Sequence, residues 1–221
     1  MEKNTESEAS NKDRIVESFS NDSKIGRPKR NKIQIDIIER DGANSPYRPD
    51  NLAIIKFYSF GPAKQWILKQ TLEIESHALA GADPKIEDFN NDGFKDITFV
   101  SNTAARGSNE VRTLLVYDKI NDVLMHIKNS EDYPNLAYNK TLNCIDAWLV
   151  HGASTTVFLR LEGDMLKEFA SVGTGANQAG NCCGLAIRVV DKAGKETVIR
   201  RKRITEDDIY TRYRTFNPPR P

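Results

Sequence analysis

The stretch Asp88, Phe89, Asn90, Asn91, Asp92, Gly93, Phe94, Lys95, Asp96, followed directly by Ile97, Thr98, Phe99 and Val100, decides how this chain reads. Its first nine residues spell DxNxDGxxD. Calcium takes roughly six to eight oxygen ligands, and a tightly coiled loop aims alternate side chains at one centre. Asp88, Asn90, Asp92 and Asp96 hold the side-chain ligand positions, and Phe94 offers its backbone carbonyl. Gly93 permits the sharp turn that a Cβ would obstruct. The loop departs from an EF-hand at its twelfth position, where Phe99 replaces the bidentate glutamate, and its flanks read as strands rather than helices. Asp96 is then the closing ligand, and Phe99 is free to enter a core. The expected role is structural: calcium pins a turn that enters a sheet and opens no helical groove. The competing reading is an acidic Asn/Gly turn without an ion, since these residues favour loops for backbone reasons of their own. Three carboxylates and an amide at all four side-chain positions weigh toward calcium.

Outward from the loop, the chain alternates in the way a half-dry strand does. Ile33, Ile35 and Ile37 stand between Gln34, Asp36 and Ile38. Comparable segments fall at 52–60, 66–74, 97–100, 111–117, 123–127, 144–150, 155–161 and 166–172, most of them rich in β-branched or aromatic residues and ended by Gly, Asn or Asp. Segments 185–190 and 197–204 flank Lys192, Ala193, Gly194 and Lys195, a hairpin signature. The run Arg200, Arg201, Lys202, Arg203 reads either as a docking patch or as the charge by which an edge strand resists aggregation. Helical periodicity is confined to the C-terminus, where Thr205, Glu206, Asp207 and Asp208 precede Arg212 and Arg214 in the charge order of one short helix. The fold class is therefore all-β: one antiparallel domain, propeller-like or a sandwich, carrying a calcium loop behind a disordered N-terminal tail. No period of the kind a multi-bladed propeller needs repeats along the chain.

The expected division is a tether over residues 1–31 and a β-rich calcium-binding domain over 32–221. Residues 1–22 are polar and poor in apolar side chains, which fits the segment behind a removed export signal or lipid anchor and equally the disordered tail of a cytosolic protein, and Arg27, Pro28, Lys29 and Arg30 read as a solvated linker in preference to a targeting patch. Lys+Arg 32 against Asp+Glu 31 leaves a net charge of +1, so no bulk field draws the protein to nucleic acid or to an acidic membrane. Cys144, Cys182 and Cys183 allow one disulfide, expected from Cys144 to either member of the adjacent pair in an oxidising compartment. Zinc is not expected: no CxxC exists, and His77, His126 and His151 lack HxxxH or HExxH spacing.

On the loop residues 87–96, on Leu115, Val116, Tyr117 and Asp118, and on Pro134, Asn135, Leu136, Tyr138, Asn139, Lys140, Thr141 and Leu142, the chain resembles bacterial calcium-loop β-proteins of the FG-GAP and VCBS kind. Within them it looks most like single-domain, propeller-like envelope lipoproteins related to inhibitors of lysozyme-type effectors. The resemblance covers about residues 86–172. Where many members carry Phe or a similar residue after Asn90, this chain has Asn91, and no inhibitory loop maps onto it residue by residue. The resemblance implies a periplasmic or envelope protein, joined to a membrane only through a removed lipid anchor, with a peptidoglycan hydrolase or lysozyme-type effector as partner.

Three function classes follow. The leading one is a non-enzymatic binding protein, an inhibitor or immunity factor, with residues 173–180 and 103–109 as candidate recognition loops. The second is an adhesion or carbohydrate-binding module in which Trp66, Tyr133 or Trp148 stacks on sugar; burial of the tryptophans would remove its support. An enzyme is the weakest. Ser154 near His151 has no GxSxG elbow, Glu162 and Asp164 beside Gly163 read as a turn, and Gly173, Gly175 and Gly180 precede no GKS or GKT.

Overall fold

Strand alternation and turn chemistry build three consecutive antiparallel meanders. The computed structural model describes residues 14–40, 51–77, 81–176 and 182–217. Sheet one runs β1 (Arg14–Asn21), β2 (Asn31–Glu39), β3 (Asn51–Phe60) and β4 (Trp66–Ser76) in chain order. Sheet two runs β5 (Lys85–Glu87), β6 (Asp96–Ala104), β7 (Asn109–Asp118) and β8 (Val123–His126). Sheet three has six strands in order, β9 (Ala137–Asn139), β10 (Cys144–Val150), β11 (Ser154–Glu162), β12 (Met165–Ala176), β13 (Cys182–Val190) and β14 (Glu196–Arg203). Every pairing is antiparallel and no sheet closes into a barrel.

Sheet two is the middle layer, because β7 is apolar on both faces. Leu115 and Tyr117 join Ile97, Phe99 and Leu124 against Ile33, Ile35, Ile37, Ile55 and Phe57 of sheet one. Leu114 and Val116, one residue out of step, join Ile127 against Ile145, Ala147, Val157, Leu159 and Leu166 on sheet three. Each such side chain removed from water stabilises the fold by roughly 1.5–3 kcal/mol. The far face of sheet three forms a third core of Phe158, Val172, Leu185 and Ile187, closed by Ile204, Tyr213 and Phe216 of the C-terminal segment. Phe99 is fully buried, as its place in the loop pattern implied.

Three expectations change. The tether does not extend to residue 31: β1 pairs with β2 along its length, Phe19 packs on the first core, and Ile25 lies wholly inside it. The remaining tether residues, 1–13, lie outside the described residues. What sequence composition undervalued was β2 itself, whose unpaired edge offers β1 a backbone ladder that needs few apolar side chains. The C-terminal helix is a single 3-10 turn, Glu206–Asp208, closed by a capping box between Thr205 and Asp208. Its charge order satisfies a helix start, but the chain then crosses beneath sheet three, where Arg212 and Arg214 are drawn to Asp146. The disulfide joins Cys182 to Cys183 and leaves Cys144 a buried thiol. Because β11 and β12 stand between β10 and β13, about 14 Å of sheet separates Cys144 from that pair at roughly 4.8 Å per strand step. A disulfide spans at most ~7 Å between Cα atoms.

Candidate metal centre

The loop connects β5 to β6 and is anchored through both of its phenylalanines. Phe89 is buried in the core between sheets two and three, while Phe94 packs on the core between sheets one and two, its ring 5.7 Å from that of Tyr117. The backbone between them must therefore coil tightly at the end of sheet two. Asn91 and Gly93 take positive φ angles of 57° and 89° to do so. A Cβ at Gly93 would meet nothing within 4 Å, so the glycine serves the backbone angle and not a close approach.

The coil gathers side-chain oxygens inward. Asp88 Oδ1 and Asn90 Oδ1 each accept the Asp92 N–H at 3.1 Å, Asp88 Oδ2 accepts the Gly93 N–H at 2.9 Å, and Asp92 Oδ1 accepts the Phe94 N–H at 3.0 Å. Lys119 Nζ stands 3.8 Å from Asp92 Oδ2 and lies over the Phe94 ring.

Asp96, the first residue of β6, has no solvent exposure. Its Oδ2 accepts the Phe89 N–H at 2.8 Å and its Oδ1 accepts the Tyr117 N–H at 2.9 Å, tying the loop to β7. Burial pushes its carboxyl up to about 7; the two N–H groups counter this in part, and the charges of Asp88 and Asp92 add to it. Each carboxylate oxygen keeps a second lone pair. The donor set, three carboxylates with an amide and a carbonyl, is the oxygen chemistry that suits calcium and not a softer metal. Among the described residues, no three His, Cys, Asp or Glu side chains stand together as a metal-holding cluster. Asp88 and Asn90 converge on the Asp92 amide and Asp92 turns to that of Phe94, whereas Asp96 faces the backbone of Phe89 and Tyr117.

The other sequence candidates are dispersed. Ser154 is buried and donates to the Ile209 carbonyl at 2.7 Å, while His151 Nε2 lies 3.1 Å from Thr155 Oγ1, so the serine and histidine do not meet. Glu162 and Asp164 flank the Gly163 turn, and Asp164 pairs with Lys128 Nζ at 2.6 Å. Trp66, Tyr133 and Trp148 are all half-buried; Trp66 sits edge-on to Phe60 at 5.1 Å. Of the two candidate loops, residues 173–176 belong to β12 and 177–181 lie outside the described residues. Residues 105–107 form a 3-10 turn between β6 and β7.

Two clusters had no local signal in the sequence. Asp146, fully buried, is bound by Asn139, Arg212 and Arg214. Arg188, on β13, lies against Gly173 of β12, where an added Cβ would come within 2.9 Å of its Nη1. Nothing but the folded register brings either set together.

No protein-family model matches the chain, and no curated protein matches it. Among solved structures, one described as a Xanthomonas type IV secretion system related protein shares the fold with a TM-score of 0.51 at 12% identity, over 86% of this chain and 98% of that one.

Proposed function

We propose that this chain is a non-enzymatic, calcium-binding protein of the bacterial cell envelope that binds a cell-wall hydrolase of lysozyme type and inhibits it. The observation that carries the reading is the loop of residues 88–96, where Asp88, Asn90 and Asp92 turn their oxygens onto one stretch of backbone at the end of sheet two. With calcium bound, those three side chains and the Phe94 carbonyl would be ligands, and Asp96 would join them only through the lone pairs that its bonds to Phe89 and Tyr117 leave free. Bound charge there offsets the mutual repulsion of Asp88, Asp92 and Asp96 and fixes the turn between β5 and β6. Three stacked meanders resemble propeller blades in the way the loop family does, and they hold their connecting loops on a stiff frame suited to filling an enzyme cleft. A shared fold with a secretion-system related protein is in keeping with a periplasmic setting, as is a Cys182–Cys183 disulfide. No helix among the described residues is long and apolar enough to cross a membrane; the lipid anchor in this reading comes from the resemblance to envelope lipoproteins.

The test is titration against a panel of lysozymes and peptidoglycan-cleaving effectors, with calcium and with chelator. Loss of hydrolysis at stoichiometric protein, weakened by chelator, is expected. If no enzyme of the panel is bound or inhibited, the hydrolase reading fails and an adhesion or carbohydrate-binding module becomes the better account.

A further inference from the structure

Sheet two covers only part of the inner face of sheet three. Over β10 and β11 that face is Ile145, Ala147, Val157 and Leu159, packed in the second core. Over β12 to β14 the same face changes character. Thr155, Gly173, Ala186 and Arg201 lie opposite one another in register across four strands, and Gly175, Gly184 and Arg203 repeat the pattern beside them. The small residues leave a trough of about 670 Å³ between strand ends and cationic side chains. Gly173 lets the Arg188 guanidinium lie across its floor, since a Cβ there would crowd Nη1.

β14 is also the last strand of the sheet, and no strand pairs with its outer side among the described residues. It carries Arg200, Arg201, Lys202 and Arg203 in succession, and none of the four has an ion-pair partner among the described residues. The one nearby acid bonded to this region, Glu196, is taken by Arg188 at 2.7 Å. A chain of net charge +1 has thus concentrated unpaired cations on one open backbone edge.

We infer that the outer edge of β14 is a docking site for an acidic segment of a protein partner, which adds to sheet three as a seventh strand with carboxylates facing Arg201 and Arg203 over the trough. Arg201 and Arg203 are two residues apart on one face, so their side chains repeat at about 7 Å, the repeat of alternate side chains in any extended peptide. An added strand satisfies the open N–H and C=O groups of β14 through a ladder, and opposite charges directly across it stabilise the pair. A second copy of β14 would bring four more cations to the same edge and is disfavoured, so the same four cations that resist self-association select an acidic strand. A phosphate polymer could neutralise the arginines but has no groups to continue the ladder. The inference goes beyond the calcium-loop reading and does not depend on the partner being a hydrolase.

The experiment is fluorescence anisotropy of a labelled heptapeptide of alternating Glu and Val against the full chain, with backbone amide exchange followed on β14. Saturable binding that slows exchange of β14 amides is expected, and an alternating Lys and Val peptide should not bind. Methylating alternate backbone nitrogens of the Glu peptide, which keeps its charge but breaks the ladder, should weaken binding at least about tenfold. Arg201→Glu with Arg203→Glu should do the same with an unchanged melting temperature, as both side chains are exposed; Arg201→Ala with Arg203→Ala should give a smaller loss. Absence of binding, equal binding of the Lys peptide, or indifference to backbone methylation overturns the inference. So does linear polyphosphate binding more tightly than the Glu peptide without protecting β14.

Discussion

Arg212 donates through Nε to Asp146 Oδ1 at 3.0 Å, across 66 residues of sequence, and so fastens the C-terminal segment to β10 of sheet three. Asp146 is fully buried, Arg214 adds a second ion pair at 3.0 Å, and Asn139 donates to the same carboxylate at 2.7 Å. Because Arg212 and Arg214 keep 25% and 50% of their side chains in solvent, losing the acid costs less than the about 3–5 kcal/mol of a wholly buried pair. Asp146→Ala should still lower the urea midpoint and expose residues 205–217 to protease before the sheets open. An unaltered midpoint and digestion pattern would show that the strap is held by the packing of Ile204, Tyr213 and Phe216 and by its bonds to Ser154 and Thr156, without the ion pairs.

Calcium should raise the melting temperature and chelator should lower it, while magnesium, which prefers a smaller octahedral shell, should restore little. At ~100 times its dissociation constant, a ligand specific to the folded state adds about 2.7 kcal/mol. Asp92→Ala should abolish the increment. Asn91→Gly, which preserves the positive φ of 57° at a position that supplies no ligand, should retain it. Identical melting of metal-stripped protein with and without millimolar calcium, together with a flat calorimetric titration, would refute the site.

Without reductant, peptide mapping should recover Cys182 and Cys183 as an oxidised pair. Cys144, buried and with its thiol pushed up to about 11 chiefly by burial, should resist alkylation until the protein is unfolded. Recovery of Cys144 cross-linked to either of the others would contradict the sheet order.

A chain beginning at Asp22 should melt several degrees below one beginning at Arg14, because it loses the β1 ladder and the packing of Phe19 on the first core. Partial burial of one such ring is worth up to roughly 1.5–3 kcal/mol, and each kcal/mol shifts the midpoint by about 2–4 °C in a protein of this size. Equal melting of the two chains would return residues 14–21 to the tether.

The strands were legible because their evidence is local. Ile33, Ile35 and Ile37 share a face wherever β2 is placed, and the period of two is a property of any extended chain. Lys192 to Lys195 predicts the β13–β14 hairpin by turn chemistry alone, and Gly194 does take a positive φ. The DxNxDGxxD spacing located the coiled loop for the same reason. Long-range partners were not legible. Whether Arg14 to Asn21 forms a strand depends on an open edge of β2, which no property of those eight residues reveals. Asp96 was read as a ligand from its position in the loop, but which way its oxygens face was settled by Tyr117, 21 residues on and one strand away. Cys144 pairs with no cysteine because two strands intervene, and Arg201 becomes part of a trough only where Gly173 and Ala186 fall in register beside it. Alternation and turn propensity act between neighbours in the chain, so sequence alone determined most of the strands; register, layer order and the edge strand β1 depend on residues far apart in it, and only tertiary packing decided those.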